Sequence, residues 1–245
     1  MKKILYATGW AFFIFFTSNT WAARPLATND AGVVAVGALE TEYGYEYVHA
    51  SDRENNHGVV LTTGLLKNLD FGVEIPYQFI ELEDGGDPDG FSDLIFTTKW
   101  SVSREHDTLP DFSLSFSYKT ESGNDEKSLG TGRPEYTLTS IFSKTFERFT
   151  YHVNMGCSAK HELEDTLNYG FAMEYAVNER LNVLGEIAGD TILSGKFDNS
   201  TSSGLIGFNY AINGSLTYDA GLKIGISESA PDFTILTGLT FAFGS

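Results

Sequence analysis

Cysteine, positive charge and, beyond the first 22 positions, long apolar runs are what this 245-residue chain lacks. A single cysteine, Cys157, excludes an intramolecular disulfide framework and a cysteine-based zinc cluster. Only 16 Lys and Arg stand against 33 Asp and Glu, a formal charge of −17, and no basic stripe relieves it, so a nucleic-acid partner is excluded. No later apolar run approaches the length of a membrane helix, and helical periodicity is hard to find. What the chain does have is apolar and aromatic material, 42% and 14% of its residues, which is too much for disorder.

Residues 1–22 read as a secretory signal peptide. Lys2 and Lys3 precede an apolar run from Trp10 to Phe16, and Thr20-Trp21-Ala22 offers small residues at the two positions that signal peptidase reads. The apolar stretch is shorter than the ~20 residues of a membrane anchor. Cleavage after Ala22 leaves 14 basic and 33 acidic residues, a balance of −19, on residues 23–245.

Strict alternation fills that remainder. Phe112, Leu114, Phe116 and Tyr118 share one face of a strand, with Ser113, Ser115, Ser117 and Lys119 on the other. Tyr43, Tyr45 and Tyr47 oppose Glu42, Gly44 and Glu46, and Met155, Cys157 and Ala159 oppose Asn154, Gly156 and Ser158. Twelve such strands are predicted, over 38–49, 57–66, 69–81, 91–102, 111–121, 134–145, 149–160, 166–177, 180–190, 202–212, 214–225 and 232–243. Most match the ~9–11 residues that a tilted strand needs to cross a bilayer.

The connections carry a second pattern. Those after even-numbered strands tend to be brief, such as Lys67-Asn68 and Asn178-Glu179, although the link from Ser103 to Pro110 is longer. Those after odd-numbered strands are mostly longer and rich in Gly, Asp, Asn and Ser, as from Ser122 to Arg133. Short periplasmic turns alternating with long outer loops mark an outer-membrane barrel. A soluble sandwich or lipocalin-like barrel has one interior to fill, and twelve aromatic and aliphatic faces would overfill it. The expected fold is therefore an all-β, transmembrane, antiparallel up-and-down barrel, with residues 23–37 as a periplasmic N-terminal segment, and the alternative that Arg24 to Val36 or a loop plugs the bore stays open. Closure satisfies every strand edge in a medium without hydrogen-bond partners.

The polar faces then line the lumen. They carry Glu40, Glu42, Glu46, Asp70, Glu74, Asp93, Glu135, Glu174, Glu186, Asp190 and Asp219 against Lys99, Lys119, Lys160 and Lys223, with His152 also facing inward. Carboxylate rings concentrate cations and repel anions, so neutral or cationic solutes are expected. The sign of charge argues against a channel for acidic oligosaccharides. The acidic loop from Glu83 to Gly90 lacks the ordered ligand spacing of a calcium loop, so no metal and no cofactor are expected.

Two other function classes were weighed. An enzyme would need nucleophile, base and orienter together. His152 and Ser158 share a face but are about 20 Å apart along a strand. His49 with Asp52 and His161 with Asp165 are the rim dyads on offer, and each reads more simply as polar loop residues. A structural or adhesive barrel with a closed lumen would work through its loops, which here are modest and lack long aromatic or repeat-rich insertions.

Several stretches, scattered over the chain, resemble a known family. The start Arg24-Pro25-Leu26-Ala27-Thr28-Asn29-Asp30-Ala31-Gly32-Val33-Val34, with Tyr43-Gly44-Tyr45-Glu46-Tyr47, Asn68-Leu69-Asp70-Phe71-Gly72-Val73-Glu74-Ile75-Pro76-Tyr77 and Gly90-Phe91-Ser92-Asp93-Leu94, is similar to the outer-membrane transporter family of the MetA pathway of phenol degradation. The resemblance implies a Gram-negative outer-membrane channel for small, often hydrophobic or aromatic compounds. It also implies membrane lipid and lipopolysaccharide as surroundings and the barrel-assembly machinery as a partner during insertion. The end departs from the usual terminal Phe of such barrels, since Gly244 and Ser245 follow Phe243.

Overall fold

The computed structural model describes residues 24–83, 85–160, 164–193 and 200–244, so the expected signal peptide lies outside it. The chain runs through β1 (Leu39–His49), β2 (Arg53–Leu66), β3 (Leu69–Glu81), β4 (Asp89–Phe91), β5 (Ile95–Ser103), β6 (Asp111–Lys119), β7 (Glu135–Phe146), β8 (Phe149–Lys160), β9 (Thr166–Ala176), β10 (Leu181–Ile192), β11 (Thr201–Asn213), β12 (Leu216–Gly225) and β13 (Phe233–Phe243). Every pairing between these strands is antiparallel, and β1 pairs with both β2 and β13, so the sheet closes on itself. The short β4 and the longer β5 both pair with β3, one above the other, and together occupy a single place in the wall. The result is a twelve-position, closed up-and-down barrel.

Side chains on its two surfaces are sorted against the habit of soluble proteins. Leu138, Met155, Ile187 and Ile206 are 55%, 55%, 55% and 64% exposed, while Glu186 and Asp219, on the inner face, are 6% and 1% exposed. Cross-strand partners extend the outer apolar surface from wall position to wall position, as in Phe171 opposite Ile187, Ile206 opposite Leu222 and Leu222 opposite Ile235. Water would penalise such a surface; hydrocarbon accepts it, and the closed ladder leaves no strand edge unpaired. Cys157 lies on this outer face. Aromatic pairs ring both ends: Phe112 with Phe142 and Phe149 with Tyr175 at the end of the short turns, Tyr118 with Tyr136 and Tyr77 with Phe91 at the end of the long loops. These are the girdles that amphipathic rings form at a membrane interface.

Two boundaries differ from the sequence reading. The first hairpin is tight, because β2 begins at Arg53 rather than at residue 57 and pairs with β1 up to His49. Glu54, Asn55 and Asn56 show no apolar alternation, yet their backbones continue the ladder, and Tyr45 donates its hydroxyl proton to Asn55 at 2.7 Å. The strand expected over 91–102 is also broken at Ser92–Leu94, where the chain leaves regular pairing.

That break corrects the placement of Asp93. Expected to line the lumen, it is 2% exposed and holds the connection between β6 and β7 instead. Its carboxylate accepts from the backbone N–H groups of Gly123 and Thr131, both at 2.8 Å, and from the Thr131 hydroxyl at 3.1 Å. Leu129 of the same connection is 3% exposed. Asp93→Ala is expected to free this loop. Tryptic cleavage after Lys127 should accelerate roughly tenfold, the equivalent of one lost charge-assisted hydrogen bond, with the barrel itself staying protected.

Candidate functional site

The inner face presents its charges to one continuous cavity of about 1200 Å³. It reaches from Ala230 and Pro231 at the loop end to Arg104 and Phe243 at the turn end. Glu40, Glu42, Glu46, Asp70, Glu74, Lys99, Lys119, Glu135, Asp190, Asp219 and Lys223 all border it. Glu186, Glu174 and His152 also point inward but are buried, at 6%, 7% and 1% exposure. Lys160 ends β8 opposite Glu135. Part of the charge is paired, as in Lys119 with Glu135 at 2.9 Å, but the acids outnumber the bases, leaving the interior acidic.

What buries Glu186 and Asp219 is the N-terminal segment. Residues 24–36, expected as a periplasmic extension, lie within the barrel and follow its wall. Arg24 donates to the Thr237 carbonyl on β13 at 3.2 Å and faces Asp219 on β12 at 3.8 Å. The N–H groups of Ala27 and Thr28 both donate to the Glu186 carboxylate on β10, at 3.1 and 2.5 Å. Asn29 meets Asn154 on β8, whose amide donates to the Asn29 carbonyl at 3.0 Å and accepts from its N–H at 2.6 Å. Ala31 donates to Ser143 on β7 at 2.9 Å and accepts from Ser113 on β6 at 2.6 Å. Lys99 on β5 reaches the Asp30 carbonyl at 3.3 Å, and Val34 donates to Asp70 on β3 at 3.1 Å. Gly37 finally donates to the Gly64 carbonyl on β2 at 3.1 Å, next to the start of β1.

Taken in order, these anchors step from β13 down to β2. The segment is an internal strap that makes one circuit of the wall, from mid-strand at Arg24 to the turn end at Gly37. It runs there because the inner face supplies acceptors and donors for backbone groups that would otherwise go unpaired in a confined space. The wall also makes room for it. At Gly44, Gly64, Gly170, Gly207, Gly221 and Gly238 a side chain would collide with the strap, with Arg24, Pro25, Thr28 or the backbone at Val34 and Ala35. Inward-facing glycines on several strands were the sequence signal for a close-lying chain.

One cluster has the connectivity of a hydrolytic relay. Ser143 Oγ accepts from Ala31 and shares a hydrogen bond with His152 Nδ1 at 2.8 Å, and His152 Nε2 lies 3.3 Å from Glu174 Oε1. Sequence reading paired His152 with Ser158 and missed Ser143, which lies directly across the β7–β8 ladder from it. The hydroxyl is covered by the strap and the imidazole is sealed from the cavity, so the group serves to anchor Ala31. His49 and Asp52 sit at the loop end, and His161 lies outside the described residues. Asp84 of the acidic loop also lies outside them. Among the described residues no three His, Cys, Asp or Glu side chains converge as a metal site.

A continuous, acid-lined cavity inside a closed barrel can pass solutes along its axis. The solved structures similar to this chain share that architecture. The COG4313 outer membrane channel from Pseudomonas putida F1 aligns with a TM-score of 0.71 at 15% identity, over 89% of this chain and 100% of that one. The KdgM porin aligns at 0.58 and 9% identity, over 84% and 99%, and the CymD monoaromatic hydrocarbon channel at 0.51 and 10%, over 86% and 89%. At these identities the likeness is one of fold. No curated protein matches the sequence. A family profile described as "Putative MetA-pathway of phenol degradation" matches residues 22–243.

Proposed function

Because the chain belongs to that MetA-pathway family, we propose that it is an outer-membrane channel for small uncharged solutes, neutral aromatic compounds of the phenol type among them. The observation that carries this reading is the single cavity within the barrel, whose lining residues come from both the loop end and the turn end. Its acidic walls repel anions. The apolar outer belt sets the barrel in the membrane, with the turn end in the periplasm and the loop end outside the cell. A cavity of about 1200 Å³ also weighs against a purely structural barrel with a filled lumen.

Single-channel recording in a planar bilayer under a salt gradient tests the reading. Little ionic current is expected, and what passes should prefer cations over anions. Anion preference would overturn the charge assignment, and a folded barrel that carries neither ions nor a neutral aromatic solute would overturn the channel itself.

A further inference from the structure

The strap shows different chemistry to its two sides. Against the wall it turns Pro25, Thr28, Asp30 and Ala31, all buried. Toward the cavity it turns Leu26, Ala27, Val33 and Ala35, which border the open space and are exposed or half-buried, with Asn29 the one exposed polar side chain among them. Backbone N–H groups along it are drawn outward by Glu186, Ser143 and Asp70. The bore therefore meets mostly methyl groups along the strap's descent, although carboxylates line the wall around it. Several of those carboxylates are occupied in holding the strap.

The dimensions agree with a ring. Twelve strands about 4.8 Å apart and tilted about 40° give a wall roughly 75 Å around. A chain lying about 5 Å inside that wall travels roughly 44 Å in one circuit, and thirteen extended residues reach about 45 Å. Backbone and side chains then leave an opening of about 5–6 Å. A single aromatic ring fits it edge-on; an ion with its water shell does not, and an ion without one loses hydration that methyl groups cannot replace.

We infer that the N-terminal strap is the selectivity filter of the channel: an apolar eyelet, formed by Leu26, Ala27 and Val33, that turns back hydrated ions and admits uncharged apolar solutes of single-ring size. This rests on the channel reading above and narrows its substrate class. It also reassigns the lumen acids. They exclude anions and clamp the strap, and the eyelet refuses the cations they attract.

Benzyl alcohol and benzylammonium separate the filter from the acidic wall, since they share ring and length and differ in charge. Uptake by Gram-negative cells producing the full chain, measured against non-producing cells, should rise for benzyl alcohol and not for benzylammonium. A wall acting alone would favour the cation. Leu26→Asp and Val33→Asp should wet the eyelet and raise both benzylammonium uptake and cation conductance about fivefold. Deleting residues 24–34 should admit both probes.

Each other outcome is decisive. Equal passage of both probes through the parent chain overturns the filter and leaves the channel standing, as do aspartate variants that fold yet change neither uptake nor conductance. Passage of both probes only after deletion makes the strap a plug, which also overturns the filter alone. A deleted barrel that is folded, judged by heat-modifiable mobility, and passes nothing overturns the channel reading and the filter with it.

Discussion

Ile187→Arg is expected to cost about 2–4 kcal/mol of barrel stability, because the side chain sits mid-strand on the outer face, 55% exposed, where the membrane is most apolar. Urea unfolding in phospholipid vesicles, followed by emission from Trp100, the one tryptophan among the described residues, measures the cost. The adjacent residue supplies the control. Ala188→Arg faces the cavity, where water and carboxylates solvate the guanidinium, so its unfolding midpoint should stay close to that of the parent chain. Equal stabilities for the two variants would contradict the assignment of faces. A difference of this size between neighbours follows from a repeat of two residues and from nothing else in the fold.

Gly170→Val should expel the strap without opening the barrel. Gly170 is on the inner face of β9, and a Cβ there meets the Thr28 side chain directly. Valine suits a strand, so the wall holds and the strap must give. Single-channel conductance is expected to rise about fivefold, approaching that of the barrel lacking residues 24–34, while the unfolding midpoint changes little. Gly185→Val on the same barrel is the comparison. Gly185 sits on β10 with only a carbonyl oxygen at ordinary contact distance, so substitution there should leave conductance unchanged. Parent-like conductance from Gly170→Val would show that the strap tolerates displacement at its midpoint.

The wall was legible in the sequence because its physics is local. Alternation places Phe116, Leu138 and Ile235 outside and Ser115, Thr137 and Leu236 inside with no knowledge of any other strand. The same alternation puts Glu40, Glu42 and Asp219 on the inward face, and all three border the cavity. The strap was not. Its residues 24–36 have no periodicity of their own, and their conformation is set by partners on nine different strands, the farthest of them 213 positions away. Asp93 was misplaced for a related reason, since its role depends on a loop whose backbone N–H groups lie 30 and 38 residues on. Ser143 escaped notice beside His152 because strand pairing, rather than spacing along the chain, brings them together.

The circuit that the strap completes also orders events in time. Residues 24–38 are covalently the beginning of β1, the first strand, but Arg24 finds Asp219 on β12 and Thr237 on β13, the last two. Those contacts are impossible until the final hairpin has joined, so they cannot guide the early stages of assembly. The segment can therefore take its final path only once β12 and β13 are in place. A reporter near Arg24 would therefore register completion of the barrel, after every hairpin signal has already appeared.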